Sequence, residues 1–484
     1  MPFSEANSQL EPLLFQMKQY KNLTKSTIEV LPSSGQTSYG PNQKCIFTLP
    51  YASLISLEDL GLHFTFTPTN VPVTAVSGLD CIRVLPPKDV ASLINEIDIK
   101  INGQTIQHLT NYNDIVNLLN LFEDGKTAKK VLQGADMVNT HYRGPAGTIV
   151  AVEDAEFIGA SNANNEPKEY VVNHWYGLLG HRGKEVSSNF IDTNMLGEVT
   201  IAFTFASASV CVSSAAATQD KIRASNPVSD SVTLLSAVTA ATAANLRKES
   251  YTLSNLKMSM VRYNLPMEYS QALSSNLSGG AKYQIAFNHY EIHSQSATAG
   301  SGTIRWNENS KDIKGLLAYF TDSTRENSIL PSEFDESVQT SKYFKYDNPV
   351  HKSSQFQIGS VKMPQNALNS TGAFLELTRG IAGVRGNNVE FYNHVNSVEK
   401  WLDSYFMAYL SLEMSEGITD VSSGGKKLLS GLSSENLPIS CSYNYTNEST
   451  GTYAGYTWNK NVNVMTLSTR MLVIEQGQKC YLEI

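Results

Sequence analysis

The stretch that most constrains this chain is Ile94–Phe122, INEIDIKINGQTIQHLTNYNDIVNLLNLF. Ile97, Ile99 and Ile101 alternate with Asp98, Lys100 and Asn102, which is the period of a strand with one face buried. Asn102-Gly103 follows at once. Both residues tolerate positive φ, so the pair predicts a two-residue hairpin turn. Asn111 then stands where a helix cap belongs. The apolar positions Tyr112, Ile115, Val116, Leu119 and Phe122 follow at helical spacing, with Asp114 in the first turn and Gly125 as a stop. Strand, turn, strand and short helix are thus written locally, and none of these side chains forms a catalytic set.

The same strand pattern recurs along the chain, between Pro, Gly and Ser punctuation. It predicts strands over Thr27–Leu31, Lys44–Leu49, Leu60–Thr67, Glu198–Phe205, Tyr251–Tyr263, Tyr283–Ile292, Thr303–Trp306, Asn461–Leu467 and Met471–Ile474. The longest predicted helix is Phe391–Glu416. Its apolar residues Phe391, Val395, Val398, Leu402, Tyr405, Tyr409 and Leu412 step by four and three. Residues 126–185 read as mixed and loop-like. Residues 206–246, rich in Ala, Ser, Thr and Val, read as an exposed surface insertion, the alternative being a loop with a short helix near Leu234–Ala244. Leu10, Leu13, Leu14, Met17 and Tyr20 mark residues 1–25 as an amphipathic arm. The Ser/Gly-rich stretch Ser274–Gly280 is the expected boundary. The expected units are therefore the arm, 26–273 and 281–484. Both units are β-rich with short inserted helices, which suggests duplication of one fold.

Composition narrows the function classes. The 484 residues carry only 17% charged side chains and a formal net charge of −8. A net acidic chain argues against nucleic-acid binding as the main task, which needs clustered Lys and Arg. Five widely spaced cysteines, Cys45, Cys81, Cys211, Cys441 and Cys480, include no C-x-x-C. They suit reduced, buried thiols better than a disulfide framework or a metal cluster. No signal peptide or transmembrane run is expected. The N-x-S/T triplets at Asn22, Asn276, Asn369, Asn444 and Asn447 are then read as chance matches.

The chemistry-bearing candidates all have simpler readings. Gly424-Gly425-Lys426-Lys427 lacks the upstream Gly and the Ser/Thr of a phosphate loop. Gly380, Gly383 and Gly386 in RGIAGVRG, beside Arg379 and Arg385, read as a loop. His174 with His181, and His289 with His293, lack an H-E-x-x-H frame, so packed or surface histidines are expected. Glu123-Asp124 and Glu153-Asp154 read as solvated turns, and no G-x-S-x-G elbow occurs. No catalytic, cofactor-binding or metal-binding residue is therefore expected, and no cofactor or enzyme activity. Trp175, Trp306, Trp401 and Trp458 leave open a sugar-binding or sugar-cleaving protein that stacks aromatics on sugar rings.

One family resemblance rests on these residues. INEIDIKINGQTIQHLTNYNDIVNLL resembles the strand–turn–strand–helix of the major capsid proteins of polinton-like viruses and virophages. GLLGHRG with FIDTNMLGEVTIAFTF, YTLSNLKMSMVRYNLP, and SSQFQIGSVKMPQNAL at Ser353–Leu368 resemble later parts of those proteins, in order. The resemblance implies an all-β double jelly roll, two eight-stranded sandwiches side by side, with short inserted helices. It implies a subunit that forms homotrimers, which pack as pseudo-hexameric capsomers in an icosahedral shell. Its partners would be itself, neighbouring capsomers, and penton and minor capsid proteins, with the arm touching the capsid interior. Assembly would occur in the host cytoplasm or nucleus, and the mature location would be the virion. A minor vertex protein is the other viral reading, although one jelly roll usually suffices for that role.

Overall fold

A computed structural model describes residues 24–69, 84–122, 167–180, 190–213, 250–264 and 275–483, apart from breaks inside these spans, the largest being 386–394, 414–430 and 449–459. The predicted arm, the helix near Leu234–Ala244, Cys81, His181, Trp458, Gly424–Lys427 and both acidic pairs lie outside the described residues.

The first sandwich is built from β1 (Thr24–Val30), β2 (Lys44–Thr48), β3 (Leu54–Thr69), β4 (Ile94–Ile101), β5 (Gln104–Leu109), β6 (Lys168–Val172), β7 (Val199–Phe205) and β8 (Ser250–Asn264). One sheet runs β1-β8-β3-β6 and the facing sheet runs β2-β7-β4-β5, with every neighbour antiparallel. Short strands Ser38–Tyr39 and Phe190–Asp192 extend the first of these.

The second sandwich uses β9 (Tyr283–Ser296), β10 (Ser301–Glu308), β11 (Ile313–Asp322), β12 (His351–Ile358), β13 (Val361–Leu368), β14 (Met407–Ser411), β15 (Ile439–Asn447) and β16 (Lys460–Glu475). Its sheets run β9-β16-β11-β14 and β10-β15-β12-β13, and a last strand, β17 (Lys479–Glu483), adds to β16. Numbered within each unit, both sandwiches have the orders 1-8-3-6 and 2-7-4-5. That is the jelly-roll arrangement, made twice. A helix follows the fifth strand in both: α1 (Tyr112–Asn120) in the first and α2 (Ser370–Arg385) in the second.

The alternating residues point where their period requires. Ile97, Ile99 and Ile101 are buried, as are Leu62, Phe64 and Phe66 of β3 and Ile201, Phe203 and Phe205 of β7. Each such side chain contributes about 1.5–3 kcal/mol on leaving water. Trp175 stacks on Phe203 at 5.4 Å and donates its Nε1–H to the Leu60 carbonyl at 2.9 Å. The buried indole is thereby satisfied while it bridges the two sheets. Asn102 and Gly103 take φ of 48° and 80°, as the turn demands. Asn102 also clips the turn to the start of β7. Its side chain donates to Leu196 O at 2.9 Å and accepts from Glu198 N at 3.0 Å.

Several local expectations are corrected. Asn111 does not cap α1 with its side chain. It sits in the left-handed region at φ 51°, and its carbonyl accepts the first helical bonds. Among the described residues of the predicted helix Phe391–Glu416, α3 (Val398–Ser404), capped by Ser397, is helical, and Met407–Ser411 is β14. Met407, Ala408 and Tyr409 are all buried. A strand covered on both faces shows no alternation, so spacing alone misassigned it.

The supposed glycine loop at RGIAGVRG is instead helical through Arg385, in α2. Gly380 lies directly against the Tyr409 ring, where a Cβ would collide. Packing therefore outweighs the roughly 1 kcal/mol that a mid-helix glycine costs. The two strands expected over Asn461–Leu467 and Met471–Ile474 are one, β16. The first strand begins at Thr24, inside the stretch assigned to the arm. The start of the supposed insertion is not exposed: Ala206, Ala208, Val210 and Cys211 are buried. Residues 214–249 lie outside the described residues.

Candidate functional site: the joint between the sandwiches

The two sandwiches meet along one flank of each. The first offers β5, α1 and the turn Gly177–Leu179, and the second offers β9 and the ends of β11. Gln107 on β5 joins them. Its amide donates to Asn288 O on β9 at 3.1 Å, and its carbonyl oxygen accepts from Leu178 N at 2.8 Å. Gly177, at φ 83°, allows this approach, because a Cβ there would lie 2.6 Å from Gln107 Oε1. Lys314 reaches Asn288 Oδ1 at 2.7 Å, and Tyr176 meets Tyr290 edge to face at 6.3 Å.

The centre of the joint is Asp114 of α1, 1% exposed. Arg325, which follows β11, grips it with two bonds: Nη2 to Oδ2 at 2.6 Å and Nη1 to Oδ1 at 3.0 Å. The hydroxyls of Tyr319 and Tyr346 also point to the carboxylate, each at 3.3 Å. Arg325 lies over the Tyr343 ring at 4.3 Å, a cation–π stack. Tyr343 donates to Glu326, whose other oxygen accepts from Ser207 of the first sandwich at 2.7 Å.

Burial opposes the charge on Arg325, but Asp114 beside it more than compensates and holds the guanidinium above its already high range. Burial, with Asp114 nearby, pushes the Tyr319 and Tyr346 hydroxyls far up, so both stay protonated donors. The arrangement is a charge-assisted lock. The groups around Asp114 are spent on one another.

The asparagines of NDIVNLLN clamp α1 in place. Asn113 bonds Tyr343 Oη at 3.3 Å, Asn117 bonds Ser92 Oγ at 2.7 Å, and Asn120 bonds Asp89 Oδ2 at 2.8 Å. A small sheet adds backbone pairing between the halves. Val212–Ser213 pairs with Val84–Leu85 on one side and, in parallel, with Ser332–Asp335 on the other, and Thr340–Ser341 closes the edge.

Sequence reasoning saw Asp114 only as a first-turn acid and passed over Arg325. The usable signal was the spacing of Asp114 with Leu118 and Leu121, outside the stripe read as apolar: it marks a second apolar face, where a buried Asp needs a partner. Of the four tryptophans offered for sugar stacking, Trp175, Trp306 and Trp401 are buried. Cys45, Cys211 and Cys441 are buried free thiols, and Cys480 is partly buried. Burial raises all four thiols.

Each sandwich has a second flank that the joint does not use. In the first it is the edge of β1 and β2, where Leu31 is 71% and Ile46 37% exposed. In the second it is the edge of β13 with α2, where Val361 is 52% and Leu375 46% exposed. The other two large exposed hydrophobics among the described residues are Tyr51 and Phe190. No helix among the described residues is long and apolar enough to cross a membrane.

No protein-family model matches the chain, and no curated protein matches it. Solved structures do. A quasi-atomic model of the PBCV-1 virus capsid aligns over 96% of this chain and 98% of its own, at TM-score 0.54 and 12% identity. The Sputnik virophage structure aligns over 96% and 89%, at TM-score 0.51 and 10% identity. PBCV-1 VP54, fitted into a reconstruction of Sputnik, aligns over 96% and 98%, at TM-score 0.52 and 11% identity. At such identities the likeness speaks to architecture, and it agrees with the strand orders: the chain has the double jelly-roll fold of these capsid proteins.

Proposed function

We propose that this chain is a viral major capsid protein, a structural subunit of the virion without catalytic activity. One observation carries the reading: the flanks left open are the same two kinds of flank that the joint brings together. Inside the chain, the fifth-strand flank of the first sandwich meets the first-strand flank of the second. Left over are a first-strand flank on the first sandwich and a fifth-strand flank on the second. A neighbouring copy offers the missing partner for each.

Such a head-to-tail contact closes into a ring if each step turns by about 60°, so three chains give six sandwiches in a pseudo-hexagon. Closure covers the open sheet edges, which are otherwise sites of uncontrolled pairing, and the apolar residues Leu31, Ile46, Val361 and Leu375. The units in this reading are an N-terminal arm that ends before β1 at Thr24, turned to the capsid interior, and two jelly rolls, the first from Thr24 to about 273 with a surface insertion within 214–249 and the second over 281–484. Penton and minor capsid proteins would meet the assembled capsomers. A sugar-binding role loses support from the burial of Trp175, Trp306 and Trp401.

Light scattering and electron microscopy of the purified protein test this. The expected species is about 160 kDa, three chains of 53.2 kDa, with a hexagonal outline. Leu31→Asp with Ile46→Asp, or Val361→Asp with Leu375→Asp, should yield folded monomers. A wild-type chain that stays monomeric, or trimers untouched by both double variants, would refute it.

A further inference from the structure

We propose that Glu291, His293 and Glu308 form a site for a first-row divalent cation, zinc fitting best, which ties the two sheets of the second jelly roll together. Glu291 and His293 stand two residues apart on β9, so they share a face. Glu308 ends β10 and comes from the facing sheet. One ligand atom from each lies within 4.8 Å of the others, and Glu291 Oε1 is 3.9 Å from His293 Nε2. Bonds of about 2.0–2.2 Å to two carboxylates and an imidazole would draw these atoms closer by about 1 Å, within the reach of side-chain torsions, and leave a fourth position for water.

The surroundings suit a cation. Glu308 is 3% exposed. A bound cation would neutralise the carboxylates that meet there. His293 stacks on Trp306 at 5.8 Å, and its Nε2 is buried without a hydrogen bond. That nitrogen is the atom a neutral imidazole offers to a metal.

Among the described residues, Arg470 opposes the cation, with Nη2 3.6 Å from Glu291 Oε2. Two carboxylates against one guanidinium still leave the cluster negative. Glu291, whose side chain is 46% exposed, gives the ion a way in from solvent. The mixed nitrogen and oxygen set favours zinc-like ions over calcium and magnesium, which prefer all-oxygen shells. Sequence reading set His293 aside for want of H-E-x-x-H. The third ligand comes from another strand, so no local spacing could reveal it.

The site lies within one chain and is independent of the capsid reading. The test is calorimetric titration of chelator-treated full-length protein with Zn2+, Mn2+, Ca2+ and Mg2+, alongside thermal melts. One Zn2+ per chain and a raised melting temperature are expected, with Ca2+ and Mg2+ binding at least tenfold more weakly. His293→Gln and Glu308→Gln should each weaken Zn2+ binding at least tenfold and abolish the zinc-dependent rise in melting temperature. Circular dichroism checks that both variants fold. His108→Ala, whose imidazole pairs with Asp98 on the first sandwich, should leave the stoichiometry unchanged. No Zn2+ uptake by the wild type, tighter binding of Ca2+ than of Zn2+, or full uptake by both ligand variants would overturn the assignment.

Discussion

Arg325→Met is the most informative perturbation of the joint. It removes both bonds to Asp114 and leaves a carboxylate that is 1% exposed without its cation. The remaining donors, Tyr319 and Tyr346, stand at 3.3 Å, long for a hydroxyl bond to a carboxylate, and offset little of the loss. Breaking one side of a buried pair costs about 3–5 kcal/mol, because a buried charge is left uncompensated. Asp114→Asn should cost less, about 1–3 kcal/mol. Arg325 keeps its stack on Tyr343 and is 13% exposed, so it can recover some water.

Asp114→Leu with Arg325→Met removes both charges. It should cost less than Arg325→Met alone, because no unpaired charge remains buried, even though the Tyr319 and Tyr346 hydroxyls lose their acceptor. Urea unfolding followed by circular dichroism and tryptophan fluorescence gives the three values and their coupling. A loss below about 1 kcal/mol for Arg325→Met, or a double variant costing the sum of the singles, would refute the reasoning.

Two further outcomes follow from the geometry. Gly103→Val forces a β-branched residue to φ 80° with no atom within 4 Å of the new Cβ, so the penalty is backbone strain alone. A loss of about 1–2 kcal/mol is expected, seen as a lower melting temperature and a smaller yield of assembled protein; unchanged values would mean the turn relaxes freely. His351 is 8% exposed, and burial lowers its pKa to about 4. Between pH 6.5 and 4 the unfolded chain binds a proton that the folded chain does not, so stability falls as pH drops through this window. The loss from His351 is at most about 3 kcal/mol. Unfolding midpoints of the wild type and His351→Gln should diverge below pH 6.5, and parallel curves would rule this group out.

The sequence by itself determined most of the strands and little of what joins them. Ile97, Ile99 and Ile101, the Asn102-Gly103 turn and the spacing of α1 are local facts. Side-chain period and backbone φ preferences act between near neighbours, so they are legible in order along the chain. Three things were decided only by tertiary structure. Met407–Ser411 is a strand because both of its faces are covered, which erases alternation. The segment through Arg385 is helical, and Gly380 within it is tolerated because it fits against Tyr409. Asp114 is the keystone of the joint because folding brings Arg325 to it from 211 positions away. Each depends on surfaces that meet only after the chain has closed on itself. Burial and charge pairing are properties of that meeting, and no local spacing records them.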